Sequence, residues 1–407
     1  MQRLLPTCLL STLMAASASA QGLYQASNTE EESLPLKWVL GSNLIYDDNV
    51  ASSENAESSF GFNPSLGLGF TRTTAQTSWD VNGRLGIIYY PDPPKIGSEE
   101  VDDFSNQSRV GANLNHRFNE RLRFSSQNMV SREKEPDYSY GIASSRLGGE
   151  YVSLTTDNSF GYRWSERFGS FSGLKLWQIS YPGADKDKQD NDHFTWEFHN
   201  QIRYQLNPQS VLTGDYRYAE LTANGNASDA TDQYILAGNE YRFSPTLIGF
   251  IKGGVQLHDV TDGDSTTNPY LEVSGNGQFS KQFNLRTFIR YSAESEGLVR
   301  YPVNYSDHRT LRVGVAGEYS ISPLLTLMGG LDYIPGSYQG GYRIPGAPVS
   351  DLSDQDETLL NSYVSLVVKF NDFLSGVASY NFTDNTSDFD GQDYTRNRIS
   401  VGLNATF

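Results

Sequence analysis

The stretch "NRISVGLNATF" (397–407) decides the fold, because it alternates strictly. Its apolar side carries Ile399, Val401, Leu403, Ala405 and Phe407, and polar or small residues occupy the other side. Alternation with period two is typical of a β-strand with two unlike faces. Chain ends usually fray. A strand that runs into an aromatic residue at the last position instead predicts a terminus built into a sheet.

The first 20 residues, "MQRLLPTCLLSTLMAASASA", predict a cleavable secretory signal. They combine one basic residue, Arg3, with an apolar stretch and a small-x-small site at Ala18–Ala20. A membrane anchor fits less well, because the stretch is short and interrupted by Ser and Thr. A lipoprotein is also disfavoured, because Cys8 comes too early and follows Pro6 and Thr7. The chain is therefore expected to be exported.

Composition narrows the class further. Cys8 is the only cysteine, so cleavage would leave neither disulfide nor thiol chemistry. No other apolar run approaches the ~18 residues of a transmembrane helix. The chain has 25 Tyr, 21 Phe and 37 Gly, and its mean hydropathy is −0.49; amphipathic barrel strands have such averages, because every second residue faces water. The net charge of −17 excludes nucleic acid as an expected partner.

A short element recurs along the chain: an apolar residue, then Asn or Ser, then Pro or a charged residue, and another apolar residue. Asn and Ser favour tight turns through local hydrogen bonds, and Pro presets φ. Successive copies lie 36–49 residues apart, which leaves room for two long strands and one longer loop. The copies are "FNERL" (118–122), "WSERF" (164–168), "LNPQSV" (206–211), "FSPTL" (243–247), "FSKQF" (279–283), "ISPLL" (321–325), "FNDFL" (370–374) and the looser "TRTTAQT" (71–77).

The connections between these turns are longer, polar and often acidic, for example "SSENAESS" and "PGADKDKQDND". Short periplasmic turns alternating with long external loops are typical of outer-membrane barrels. Eight turns and two periplasmic termini predict an all-β, transmembrane antiparallel up-and-down β-barrel of about 18 strands, or 16 if one hairpin is miscounted. A propeller has a similar period but shorter strands, and a soluble β-sandwich predicts strands of about five or six residues.

The strand that begins at His193 shows the two faces best. Its predicted lipid-facing residues are apolar apart from Asn200, which is out of place: Phe194, Trp196, Phe198, Ile202, Tyr204 and Leu206. The expected organisation is a signal peptide (1–20), a short periplasmic segment (21–36) and an outer-membrane barrel (37–407). Phe407 would lie in the periplasmic aromatic girdle. It would also serve as an assembly signal for the barrel assembly machinery.

Motifs for catalysis, cofactors and metals are missing from the sequence. It has no H-E-x-x-H, P-loop or dinucleotide fingerprint, and "GSFSG" (169–173) has Phe171 where a nucleophile elbow needs Ser. The five histidines are more typical of polar wall positions than of ligands: His116, His193, His199, His258 and His308. We therefore expect no enzyme, no cofactor and no metal site.

Strand parity predicts more bases than acids on the inward face. The inward bases would be Arg84, Arg109, Arg117, Arg123, Arg203, Arg217, Arg242, Lys252, Arg286, Arg290, Arg312, Lys369, Arg396 and Arg398. The inward acids would be Asp80, Glu197, Asp215, Glu240, Glu272, Glu294, Glu318 and Asp332. Pairing across strands explains part of this set, but not the excess of bases. The candidate pore-lining residues are Arg84, Arg203, Glu197, His199, Arg286, Arg290, Arg312 and Arg398.

Three motifs carry a resemblance to a known family: "LIYDDNV" (44–50), "FNPSLGLGF" (62–70) and a second-hairpin strand ending "YYP" (89–91). With the "FSPTL" and "ISPLL" turns, the chain resembles the beta-barrel porin 2 family over nearly its whole predicted mature length. The resemblance implies an outer-membrane barrel, and for some members a link to exopolysaccharide export beside periplasmic export proteins. "SYQGGYRIPGAPVSDLSDQDE" (337–357) is the one loop long enough to suggest a constriction.

Three functions remain open. The chain is expected to be a conduit for polysaccharide export or anionic solutes, a general passive porin for small solutes, or a structural or adhesive barrel without an open pore. A siderophore-type transporter is disfavoured, because too few residues precede the first strand for a plug domain. Expected partners are outer-membrane lipid and lipopolysaccharide, the barrel assembly machinery and periplasmic polysaccharide export proteins.

Overall fold

The computed structural model describes residues 34–93, 95–96, 99–100, 103–134, 150–182, 191–300, 302–344, 346 and 351–407. The predicted signal peptide and residues 21–33 of the predicted periplasmic segment lie outside these ranges. The first strand begins at Leu34, three residues before the predicted start of the barrel. The described strands are β1 (Leu34–Asp47), β2 (Ser59–Thr73), β3 (Thr77–Tyr89), β4 (Lys95–Ile96), β5 (Glu99–Glu100), β6 (Phe104–Arg117), β7 (Leu122–Glu133), β8 (Tyr151–Arg163), β9 (Phe168–Ser180), β10 (His193–Gln205), β11 (Ser210–Ala223), β12 (Ala230–Ser244), β13 (Leu247–Val260), β14 (Ser265–Ser280), β15 (Phe283–Ala293), β16 (Val299–Arg300), β17 (Val303–Ser322), β18 (Leu325–Arg343), β19 (Gln355–Lys369), β20 (Leu374–Ser387) and β21 (Tyr394–Thr406).

These strands form a closed antiparallel barrel. Each long strand pairs with its neighbours in the chain, and β1 also pairs with β21. The two-residue strands β4 and β5 form a separate hairpin, and β16 pairs only with β17. The described residues thus form a wall of 18 strands, which confirms the predicted fold class and strand number.

No helix in the described ranges is long and apolar enough to cross a membrane.

All eight predicted turns lie where two wall strands meet, and the Asn and Ser residues act there as expected. Asn119 Oδ1 accepts hydrogen bonds from the backbone N–H groups of Arg121 and Leu122, at 2.8 and 2.9 Å. Asn207 and Asn371 form the same pair of bonds in their turns. Local side-chain bonding therefore fixes each turn, and each turn fixes the register of its hairpin.

The outward face is apolar along the barrel. On β10, Phe194, Phe198, Ile202 and Tyr204 are all exposed, and Thr195, Glu197 and Arg203 on the opposite face are buried. Exposed aliphatic and aromatic residues follow the same parity on the other strands, including Val401 and Leu403 on β21. A closed sheet that exposes such a band is built to face hydrocarbon. The protein is an outer-membrane β-barrel.

Closure depends on the seam between β1 and β21. Nine residue pairs join the two strands, from Val39 with Thr406 to Asp47 with Arg398. Beyond them, Trp38 and Phe407 exchange both backbone hydrogen bonds, at 3.0 and 2.8 Å. The Phe407 side chain faces outward and is exposed, as expected for a residue of the aromatic girdle. Phe407 is thus the last pairing residue of the seam.

We expect Phe407→Asp to lower the amount of folded barrel in the outer membrane, because a carboxylate replaces an aromatic ring at the seam. Electrophoresis with and without heating measures the folded fraction. Phe407→Tyr is the matched control and should assemble normally. Equal folded fractions for Phe407→Asp and the wild type would contradict a role in assembly.

Candidate functional site

The register places the predicted lumen residues on the face opposite the lipid-facing side chains. Arg203 is buried, 2.7 Å from Gln201 Oε1, and forms an ion pair with Glu240. Glu197 stands directly opposite Lys175 of β9. The His199 ring lies with Nε2 3.6 Å from Asp157 Oδ1. The lumen wall here is a network of opposite charges.

Gly173 makes room for the His199 ring. A Cβ atom at Gly173 would lie 1.9 Å from His199 Nε2, too close for any side chain. Gly173 is the last residue of "GSFSG", which failed as a nucleophile elbow, and its role is therefore packing. In the described residues, no group of three or more His, Cys, Asp or Glu side chains is arranged to hold a metal ion.

Arg290 and Arg312 stand opposite each other on β15 and β17 and share one carboxylate. Arg312 donates to Glu294 through Nε at 2.6 Å and Nη2 at 3.0 Å, and Arg290 Nη2 lies 3.2 Å from the same group. Thr310 also donates to Glu294, at 2.7 Å. A buried carboxylate that contacts donor groups of three residues is strongly held. The position of Glu294 therefore fixes where the chain leaves β15.

The other predicted lumen residues lie elsewhere on the wall. Arg84 Nη2 donates to Asn63 Oδ1 at 2.7 Å. Arg398 lies 3.8 Å from Asp47, which also accepts two bonds from Arg396 Nε at 3.0 and 3.1 Å. Arg286 stands on the inward face between Asn276 and Ala316.

Residues 295–300, which lie between β15 and β17, enter the lumen; we call them the crossing segment. Trp177 on β9 donates from Nε1 to Glu296 Oε1 at 2.8 Å, and Ser295 donates to Asp232 on β12. At its other end, Arg300 Nη2 donates to Glu357 on β19 at 2.9 Å. Since β9 and β19 stand opposite each other in the wall order, the segment crosses the lumen between them.

The end near β19 is held by charge and aromatic rings. Arg300 also donates to Tyr338 Oη at 2.6 Å, and its guanidinium lies 5.1 Å from the Phe389 ring centroid. Burial lowers the pKa of Arg300, but Tyr338 and Glu357 outweigh it and raise the pKa overall. The guanidinium therefore stays charged, and the contact persists across physiological pH.

The middle of the crossing segment is apolar. Leu298 packs in a buried cluster with Leu221, Ala230 and Val260 from the walls of β11, β12 and β13, and with residues of β17 and β18. Gly297 precedes it at φ +72°, which L side chains rarely adopt. The segment thus combines a left-handed turn with an apolar anchor, and it narrows the external part of the lumen.

The crossing segment divides the wall into two arcs of different charge. The balanced arc, β9–β19, carries inward bases and acids in equal number: Lys175, Arg203, Arg217, Arg242, Lys252, Arg286, Arg290, Arg312 and Lys369 against Glu197, Asp215, Asp232, Glu240, Glu272, Glu294, Glu318, Asp332 and Glu357. The basic arc, β20 through β21 and β1 to β8, carries Lys37, Arg84, Arg109, Arg117, Arg123, Arg163, Arg396 and Arg398 against Asp47, Asp80, Glu133 and Asp157. The whole excess of bases therefore lies on the basic arc.

Sequence reasoning missed part of this arrangement. The parity count omitted five inward carboxylates, Asp47, Glu133, Asp157, Asp232 and Glu357, and three bases, Lys37, Arg163 and Lys175. The excess of inward bases over inward acids is consequently smaller than the sequence predicted.

The predicted constriction loop is also different from the observed one. Residues 337–343 of that loop are the end of β18 and residues 355–357 the start of β19, while 345 and 347–350 lie outside the described residues. The crossing segment was overlooked because it is short. A usable signal was the apolar pair Leu298–Val299, since the other external connections are polar.

Among known proteins, the chain is similar to solved structures only. No family profile and no curated protein matches the chain, so the resemblance to the beta-barrel porin 2 family is not confirmed. Solved structures do match. OpdK of Pseudomonas aeruginosa, crystallised with vanillate, has 12% identity and a TM-score of 0.47, covering 91% of this chain and 99% of its own. A BenF-like porin from Pseudomonas fluorescens has 13% identity and a TM-score of 0.47, covering 93% and 99%.

Acinetobacter baumannii OccAB4 has 13% identity and a TM-score of 0.44, covering 92% of this chain and 99% of its own. At these identities and TM-scores, the likeness says nothing about what this chain transports.

We expect the double variant Leu298→Ser, Val299→Ser to raise single-channel conductance about twofold, because pore width controls conductance and the segment loses its apolar anchor. Planar-bilayer recording measures it. Leu352→Ser, at an exposed external position, is the control. Unchanged conductance in the double variant would mean that the segment does not limit the pore.

Proposed function

We propose that the protein is an outer-membrane channel for anionic solutes, which move along the basic arc. The observation that carries this proposal is the confinement of the excess inward bases to the arc whose strands, among the described residues, form no hydrogen bond with the crossing segment. Fixed charges on a narrow wall concentrate counter-ions, and lumenal Arg and Lys favour anions. Acidic external loops act only near the mouth, because screening limits their reach to about 8 Å at physiological salt.

An anionic polysaccharide is a second candidate cargo. The basic arc runs along neighbouring strands, so a linear polyanion could contact several arginines in turn, and the sequence resemblance implies polymer export. This candidate adds periplasmic polysaccharide export proteins as partners. Lipopolysaccharide and the barrel assembly machinery are proposed partners for either cargo, as for outer-membrane barrels in general. Neither cargo requires an enzymatic step.

A passive porin without charge preference is the main alternative, and bilayer recording separates the two. Under a salt gradient, the wild-type reversal potential should have the anion sign. Arg84→Glu should move it toward cations, because Arg84 lies on the basic arc. Arg286→Glu should have a smaller effect, because Arg286 lies on the balanced arc. Arg167→Glu, in an exposed turn, is the matched charge control.

A wild-type pore that prefers cations would refute the proposal. A pore without conductance would favour the structural or adhesive barrel. To test the polymer, an anionic oligosaccharide is added to the wild-type channel; current block that Arg84→Glu weakens supports it, and an unaltered current rejects it.

A further inference from the structure

Six polar side chains on the neighbouring strands β7–β10 form a patch on the lipid-facing side of the barrel, in two groups between which the register sets Phe160 and Leu174. Asn200, the one polar exception noted on its strand, belongs to it. The register sets Asn128 beside Thr156, Ser126 beside Asn158, and Ser172 beside Asn200. The patch consists of Ser126 and Asn128 on β7, Thr156 and Asn158 on β8, Ser172 on β9 and Asn200 on β10.

The patch lies inside the apolar band rather than at its rim. On β7, β8 and β10, outward apolar residues stand on both sides of the polar ones. Leu154 and Phe160 flank those of β8, and Phe198 and Ile202 flank Asn200, and these four side chains are exposed. The outward positions of β13 from Leu247 to Leu257 and of β21 from Ile399 to Ala405 are all apolar or glycine. The outward polar Thr287 on β15 stands alone between Gly275 and Val315, so a group of polar neighbours distinguishes the patch side of the barrel.

The patch satisfies only part of its own hydrogen bonding. Thr156 donates to Asn128 Oδ1 at 2.7 Å, Asn158 Nδ2 donates to Thr156 at 2.8 Å, and Ser172 donates to Asn200 Oδ1. Among the described residues, Asn158 Oδ1 accepts no hydrogen bond and Asn200 Nδ2 donates none. Hydrocarbon offers no partner, so lipid contact would leave the Asn158 acceptor and the Asn200 donor group unsatisfied.

We propose that this patch is an interface with a second copy of the same chain. The patch holds both a free acceptor and a free donor, so two copies can satisfy each other by pairing Asn158 with Asn200 reciprocally. Self-complementarity of this kind is what a symmetric interface requires. Small polar side chains also let two walls approach closely within a membrane. None of the six side chains is charged, so the patch offers no electrostatic attraction to a charged partner.

Cross-linking in outer membranes tests the contact directly. Asn158→Cys and Asn200→Cys are introduced singly, and a short thiol cross-linker is added; the natural Cys8 lies in the predicted signal peptide. Leu331→Cys, exposed on β18 across the barrel, is the control. Dimers or larger homo-oligomers should appear for the two patch cysteines and not for the control. Cross-linking no stronger than the control, or only to another protein, would overturn the proposal.

A second measurement distinguishes loss of the contact between two copies from loss of folding. The double variant Asn158→Leu, Asn200→Leu should remain a folded, heat-modifiable barrel, because leucine suits lipid. Native mass spectrometry in mild detergent should show it as a single chain, while the wild type has a multiple of that mass. Thr287→Leu, an outward polar residue on β15, should keep the wild-type mass. A single-chain wild type would overturn the proposal.

Discussion

Closure of the sheet is the constraint on which the rest of the structure depends. In hydrocarbon, every backbone N–H and C=O group must be paired within the protein, so no edge strand can remain open. The seam between β1 and β21 meets this requirement, and buried Asp47 holds two arginines of β21 beside it. Once the seam is fixed, every strand has an assigned face, because a shift of one residue would reverse all side chains.

The assigned faces create the functional asymmetry. Because side chains alternate along each strand, one set of charged residues faces the lumen. The crossing segment then separates the balanced arc from the basic arc. The segment is held by contacts that need the finished wall: Trp177, Asp232 and Glu357 come from three distant strands. The narrow part of the lumen is thus a product of tertiary structure, while the charge of its walls follows from the strand pattern.

This difference explains how much the sequence could predict. Turns and strand faces are local, since Asn119 and Asn207 bond within a few residues and side chains alternate along one strand. Strand number, fold class and most inward bases followed from those two patterns. Asp47, Glu133 and Glu357 lie within three residues of an end of their strands, where alternation gives no sign of whether the strand continues. The crossing segment has no periodic pattern, and the partners that fix its position are distant in the sequence.

Asn200 shows a further limit of reading one strand at a time. Along β10, Asn200 is a single polar residue on an apolar face. One such residue by itself says little about the energetics of that face. The register joins Asn200 to Ser172 on β9 and joins Thr156 to Asn128 on β8 and β7, so the exception belongs to a patch. The rule that closes the barrel applies to this patch as well, since a polar group in hydrocarbon needs a partner. Within the described residues that partner is missing for Asn158 Oδ1 and Asn200 Nδ2, and the barrel wall of a second copy can supply it.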